Sequence, residues 1–212
     1  FGYLMAMPAR NKKPAGGSGR DPERTRRRIL ASALKEFSAR GFAGARVSSI
    51  ARHAKINKRM LYHYFEDKEG LFRAVLHHKI SERRSSVEAQ VSDLNPATCM
   101  SIWFKQNCLD TDWVRLLAWE SLQTVKDKVL DEKERRHIAR EAAKRIRKKQ
   151  KEGNLRADVP AQFIQLARIS LTMFPTALPQ MTRVITGSSP RDPKFQREYA
   201  RFLETISTAF RP

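Results

Sequence analysis

With 212 residues, 41% of them apolar and 30% charged, the chain has enough apolar surface for one good core or two small ones and too much for a disordered segment. Lys and Arg number 42 against 22 Asp and Glu, a formal charge of +20 that exceeds what dispersal in water requires and points to a polyanionic partner, nucleic acid or an acidic membrane surface. No apolar run reaches the roughly 18 residues of a membrane span, and no apolar signal segment opens the chain, so a secreted or membrane-integral protein is not expected.

Residues 1–20 read as a mobile tail, rich in Pro, Gly and base, with Met5 or Met7 suited to a native start. Arg10, Lys12, Lys13 and Arg20, with the run Arg26 to Arg28, either solubilise the chain or form an arm for phosphate or the minor groove. Residues 1 to 80 hold 18 basic and 6 acidic side chains, a net of +12, which leaves +8 for the longer remainder. The N-terminal part is therefore the stronger candidate for binding an anion.

Asp21-Pro22 predicts a helix start, with Asp21 as N-cap and Pro22 at the first helical position. Ile29, Leu30, Ala33, Leu34 and Phe37 follow helical spacing, and Gly41 is the stop. A short second helix is expected over 47–54, a turn at Lys55-Ile56, then a third helix capped by Asn57 and ending near Phe65. Asp67 caps a fourth, with Leu71, Val75, Leu76 and Ile80 inward. The spacing then predicts helices at about 96–109, 112–126, 129–152, 160–173 and 192–210, with Asp112, Pro160 and Asp192-Pro193 as starts, Gly153 as a stop, and Pro175 and Pro179 as breaks or kinks. Almost nothing resembles a strand, so the expected fold is all-α.

Two short helices joined by a three-residue turn and backed by a preceding helix make a helix-turn-helix, in which the second helix enters the major groove. Lys58 and Arg59 open that helix, where an Arg reaches guanine O6 and N7 in a bidentate way. At 3.6 residues per turn Leu61 and Phe65 share one face and pack inward, whereas Tyr62 and His63 face outward and Tyr64 projects at the far side.

The segments ILASALKEFSARGF and VSSIARHAKINKRMLYHYFEDKEGLFRAVL resemble the N-terminal domain of the TetR family of transcriptional repressors. The match runs over about 50 residues: Arg40-Gly41-Phe42 closing the first helix, Ile50-Ala51, Leu61 to Phe65, and Lys68 to Leu71. The resemblance implies that Lys58, Arg59, Met60, Tyr62 and His63 approach bases or nearby phosphates, and that Ser48, Tyr64 and Lys68 bind phosphate. Arg46 stands where the family has a Thr cap and joins the DNA-contact candidates. Lys55 holds the usual Gly position of the turn, and Arg59-Met60 replace the usual small pair.

By the same resemblance residues 21–66 form the DNA-binding domain and 67–212 a helical domain for effector binding and dimerisation. Trp103, Phe104, Trp113 and Leu117 are either core or cavity wall, with Glu120, Gln123, His137 and Arg168 as polar candidates near the cavity. The helix containing ERRHIAREAAKRIRKKQ is read as a solvated face, with contact to DNA or another acidic partner as the alternative. The last apolar segments are the expected homodimer contact.

Cys99 and Cys108, nine apart with no zinc-spaced partners, read as two buried thiols in a reducing, cytoplasmic setting. No catalytic triad, metal cluster or phosphate loop is recognisable, and Gly16-Gly17-Ser18-Gly19 follows no strand, so an enzyme, a metal and a cofactor are not expected. The leading expectation is a repressor released from a palindromic operator by a small molecule. Its alternative is a non-specific or architectural DNA-binding protein without an effector.

Overall fold

The computed structural model describes residues 21–91, 96–123 and 129–212. The expected tail over 1–20 and the expected helix end at 126 lie outside the described residues. Among those described there are ten α-helices, one more than expected, a final 3₁₀ turn and no strand, so the fold is all-α as the periodicity predicts. Helix α1 (Pro22–Gly44) opens where expected, with the Asp21 carboxylate accepting from the Arg24 amide at 3.1 Å. Gly41, at φ 67° and ψ 176°, ends its continuous run, and one further turn follows. Helices α2 (Val47–His53) and α3 (Lys58–Phe65) then pack across it. Asn57 caps α3 by accepting from the Met60 amide at 2.7 Å, and α4 (Lys68–Val91) leads away from it.

One core holds these four helices. Ile29, Ala33 and Phe37 of α1, Ile50 of α2, Leu61 of α3 and Leu71 of α4 are all fully buried in it, and Phe37 meets the edge of Phe72 at 4.9 Å between centroids. This core does not stop at α4: Trp113, Val114 and Leu116 of α6 (Thr111–Gln123) belong to the same cluster. The three-helix head is thus welded to the remainder through apolar contact, which is the main source of stability.

The remainder comprises α5 (Pro96–Leu109), α6, α7 (Glu132–Lys151), α8 (Ala161–Ala177), α9 (Pro179–Thr186), α10 (Pro193–Ile206) and the 3₁₀ turn Ser207–Phe210. Phe104 of α5 packs with Phe195, Tyr199 and Leu203 of α10 in a second cluster. A third joins Ala143 and Ile146 of α7 to Leu155 and to Ala161 and Ile164 at the start of α8. The C-terminal end of α8 lies elsewhere, with Met173 and Ala177 against the first core. Helix α8 therefore spans the larger part from its far end to the head, about 25 Å at 1.5 Å per residue.

Four expectations are corrected here. The start of α6 is capped by Asp110, which accepts from the Trp113 amide at 3.3 Å, while Asp112 instead takes the Ser38 hydroxyl at 2.9 Å. Helix α7 begins at Glu132 rather than 129, because Leu130 is drawn into the first core and Asp131 turns through a left-handed conformation at φ 50°. Pro175 does not end α8, which continues to Ala177; Pro179 does, and it opens a helix, α9, absent from the expected set. Proline at 175 leaves the Leu171 carbonyl without its helical donor, and the Tyr199 hydroxyl donates to that oxygen at 3.0 Å. Finally, Cys99 is buried but Cys108 only half so; neither is in a disulfide.

Replacing Tyr199→Phe keeps the ring stacked on Phe195 and removes that donor alone. Urea unfolding should show a loss of about 1 kcal/mol. An unchanged midpoint would mean that water serves the Leu171 carbonyl equally well.

Candidate functional site

The exposed face of α3 is the first candidate. Leu61 and Phe65 are buried against the core, which fixes the helix by its inner side. Lys58, Arg59 and His63 are exposed, Tyr62 is 42% exposed, and Met60 is half-buried. Four rings in succession thus split as their spacing predicts, except that Tyr64 is half-buried and packs on the core beside Phe65. Lys68 is also engaged: its ammonium donates to the Ala43 carbonyl at 3.2 Å and sits 5.0 Å from the Phe42 ring centroid. Two of its three donors stay available to an anion.

Backbone strain frames this helix. Lys55, where glycine would be at ease, takes φ 53° in the turn before α3. Glu66 takes φ 61° and ψ −62° directly after it, in a tight turn closed by the Asp67 amide donating to the Phe65 carbonyl at 2.6 Å. The first turn of α4 then presses on the end of α3. A Cβ at Gly70 would stand 2.4 Å from the Phe65 carbonyl oxygen, and the Gly70 amide donates to Asp67 at 2.6 Å.

Between α1 and α2, an open hollow of about 300 Å³ is lined by Glu36, Arg40, Arg46, Ser48, Ser49 and Arg52. Arg46 and Ser48, both expected to meet DNA, are exposed here. Arg52 stands one turn after Ser48 on α2, and folding adds Arg40 from α1, which no spacing in the sequence indicates. Three guanidinium groups and two hydroxyls are chemistry suited to phosphate. Arg46 occupies the N-cap position of α2 without capping it. The missing cap comes from α1: Glu36, 8% exposed, accepts from the Arg46 amide at 3.1 Å and from the Ser49 hydroxyl at 2.9 Å, with Arg40 3.3 Å away. Burial alone would raise the Glu36 carboxyl, but these donors outweigh it and hold its pKa below the ordinary 4.5. Only tertiary packing reveals this substitute cap, since Glu36 lies ten residues upstream of Arg46.

In the larger part the expected effector residues are scattered. Trp113 and Leu117 pack on the first core and Phe104 in the second. Glu120 is paired with Arg135 at 2.5 Å, and His137 is exposed on α7. Arg168 is half-buried on α8 within hydrogen-bonding reach of the Cys99 side chain. None of the seven lines the small hollow between α4 and α7, whose volume of about 10 Å³ holds no more than one water.

The structure does bring Trp103 and Trp113 together, around a residue the sequence did not mark. The Arg83 guanidinium of α4 lies 5.6 Å from each indole and donates to Asn107 at 2.7 Å and to Asp110 at 3.4 Å. Asp110 also takes the Lys79 ammonium at 2.7 Å, and Asn107 donates onward to the Thr172 carbonyl of α8 at 2.9 Å. Burial pushes the Cys108 thiol on α5 up to about 11, so it stays protonated and unreactive at neutral pH. Among the described residues no group of His, Cys, Asp and Glu could hold a metal, and no helix is long and apolar enough to cross a membrane.

Apolar side chains are left open on the last helices. Phe163, Leu166 and Phe174 of α8 are exposed, as are Val184 and Ile185 of α9 and Phe202 of α10. They lie in the segments expected to make the homodimer contact.

Residues 29–75 match the model for bacterial regulatory proteins of the tetR family, and 103–204 match a tetracyclin repressor-like C-terminal domain. The chain is 31% identical over 175 residues to the HTH-type transcriptional repressor SCO4008 of Streptomyces coelicolor, covering 80% of this chain and 88% of that protein. It is 46% identical over 66 residues to the HTH-type transcriptional repressor NicS of Pseudomonas putida, 31% of either chain. Among solved structures, the transcriptional regulator SCO4942 of Streptomyces coelicolor superposes with a TM-score of 0.68 at 25% identity, over 89% of this chain and 99% of that one. FadR of Bacillus subtilis, solved in complex with stearoyl-CoA, shares the fold at a TM-score of 0.64 and 14% identity, over 84% of this chain and 97% of that one.

Two outcomes test the joint and the cap. Gly70→Ala should cost about 2 kcal/mol, as overpacking against backbone does, and weaken DNA binding by shifting the end of α3; wild-type stability would show that α4 yields freely. Glu36 has a depressed folded pKa, so its contribution is full above pH 4.5 and is lost as pH falls through its lower folded value. Glu36→Gln should flatten that part of the acid-unfolding curve, measured by helical circular dichroism.

Proposed function

Because the chain belongs to the TetR family, and is thus a DNA-binding transcriptional regulator, we propose that it is a homodimeric repressor released from a palindromic operator by a small molecule. One observation carries the reading: α3 is pinned by Leu61 and Phe65 while Lys58, Arg59, Tyr62 and His63 are left exposed along its outer face. In that role residues 21–66 are the DNA-binding unit and 67–212 the effector and dimer unit. Arg59 reads base edges, and Lys58, Tyr62 and His63 contact bases or adjacent phosphates. Arg46 and Ser48, with Arg40 and Arg52 beside them, hold phosphate on the flank of α2, and Lys68 and Tyr64 do so at the joint with α4.

Two copies joined through the open apolar face of α8 and α10 would set two α3 helices about one DNA turn apart, as a two-fold operator needs. The effector acts by preferring one spacing of those helices over the other, since only differential affinity shifts an equilibrium. Helix α4 is the connecting element. Its start holds α3 through Gly70 and Asp67, and its Lys79 and Arg83 are anchored on Asp110 and Asn107. A ligand lodged near Trp103, Trp113, Phe104 or Leu117, or near the polar Glu120, His137 and Arg168, would move α4 only by disturbing that anchorage. Regulation of DNA binding rather than catalysis is the role this arrangement supports, within a cytoplasmic setting, and it needs no cofactor.

The second reading, a non-specific or architectural DNA-binding protein without an effector, draws on the charge of +20. Competition decides between them. Binding to the protein's own promoter fragment should survive a large excess of random duplex, and equal displacement by both would favour the architectural role. Raising salt from 50 to 200 mM should weaken promoter binding roughly 10³-fold if about six phosphates are contacted. Affinity indifferent to salt would sink either reading. Arg59→Gly should redirect or relax base preference while leaving thermal stability nearly unchanged, read by a binding-site selection alongside circular dichroism.

A further inference from the structure

Charge outside the head is concentrated in one helix. Beyond residue 80 the chain carries a net +8, and α7 alone has ten Lys and Arg against three Glu, a net of +7. At 100° per residue, Lys133, Arg136, Arg140, Lys144, Arg147, Lys148 and Lys151 fall within one arc of about 120°, joined by His137 and by no acidic residue. Every member of this arc is exposed. Arg136, Lys144 and Lys148 pair with Glu132, Glu141 and Glu152 at the margins, in exposed pairs of little strength. Lys133, Arg140, Arg147 and Lys151 have no ion-pair partner among the described residues. The stripe runs about 27 Å along the helix.

Its surroundings select the partner. The apolar side of α7 is spent inward: Ile138, Ala142, Ala143 and Ile146 are half-buried or buried. No large apolar side chain stands in the exposed arc, so it lacks both the face that inserts into a membrane and the anchors by which a peptide is held. A row of cations on a rigid rod, without apolar anchors, suits a phosphodiester backbone, whose binding is driven by counterion release. The stripe starts beside α4, where Glu134, Arg135 and Ile138 face Leu76 and His77, and runs outward, so position separates its C-terminal half from α3. The C-terminal half of α7 packs on the first turn of α8, whereas the last turns of α8 reach the core of the head, about 25 Å away.

We propose that the exposed basic stripe of α7 is a second nucleic-acid surface, which takes the phosphodiester backbone of a segment other than the one held by α3. The protein is thereby able to bridge two segments, its operator at the head and a second at the far end, read there without sequence preference.

The experiment uses the full chain and a variant carrying Lys133→Gln, Arg140→Gln, Arg147→Gln and Lys151→Gln. These positions lie outside the α3 face, so promoter affinity should stay within about twofold and the thermal midpoint should not move. The promoter fragment is fixed to beads, loaded with protein, and offered a labelled 30-base-pair random duplex, the same duplex as RNA, or vesicles rich in phosphatidylserine. Wild type should capture the second duplex in a salt-sensitive way, and the variant should lose at least tenfold of that capture. Its salt slope on free random duplex should be shallower by about 3.6, from four lost phosphate contacts at about 0.9 each. Equal capture of DNA and RNA would support backbone recognition, and capture of DNA alone would support it with DNA as the source. Capture of vesicles but of neither duplex would overturn the proposal, as would a variant with wild-type capture and slope. Loss of promoter binding by the wild type would instead count against the repressor reading and leave the free-duplex slope as the readout for α7.

Discussion

A single carboxylate ties α4, which carries the head, to the start of α6. Asp110 receives the Lys79 ammonium and the Arg83 guanidinium of α4, and its other oxygen accepts from the Trp113 amide at the start of α6. Both cations are about nine-tenths buried, so neither could be held there without a counter-charge. Helix α6 in turn places Trp113, Val114 and Leu116 in the core built by α1 to α4. The head and the larger part therefore share a core, α4 is further held to α6 by the ion cluster, and a shift of α4 against α6 cannot occur without disturbing one of them.

That constraint explains how a small head is kept rigid yet connected. Recognition helix α3 is only eight residues long, too short to persist alone in water, and its geometry is imposed by burial of Leu61 and Phe65, by the Asn57 cap and by contact with α4 at Gly70. Strained residues stand on either side of it, Lys55 and Glu66 at positive φ. Such conformations persist where the surroundings over-determine them, and they are common where a surface must be presented in one orientation. The same economy appears at α2, whose start is capped by Glu36 from another helix while Arg46 remains free to face outward.

Family membership accounts for the head and for the general plan, but this chain's departures are its own. The bulky Arg59 and half-buried Met60 stand in the first turn of α3, and the two tryptophans gather around Arg83. The positive charge of the larger part gathers on α7, which starts beside α4 and runs outward to the first turn of α8, giving a cationic stripe on a different helix from α3.

Helix content, the split of α3 into buried and outward residues, and the caps at Asp21, Asn57, Asp67 and Asp192 were legible in the sequence, because each rests on contacts within about four residues. Resemblance over some 50 residues added the head's role. What only the tertiary structure decided depends on partners far apart in the chain. Asp110 displaced Asp112 as the cap of α6 because Ser38 claimed the latter, Pro175 was tolerated because Tyr199 answered the carbonyl it orphaned, and Glu36 replaced a missing cap. Local spacing governs which way a side chain points. Which distant group meets it there is set by packing, and no periodicity in the sequence encodes that meeting.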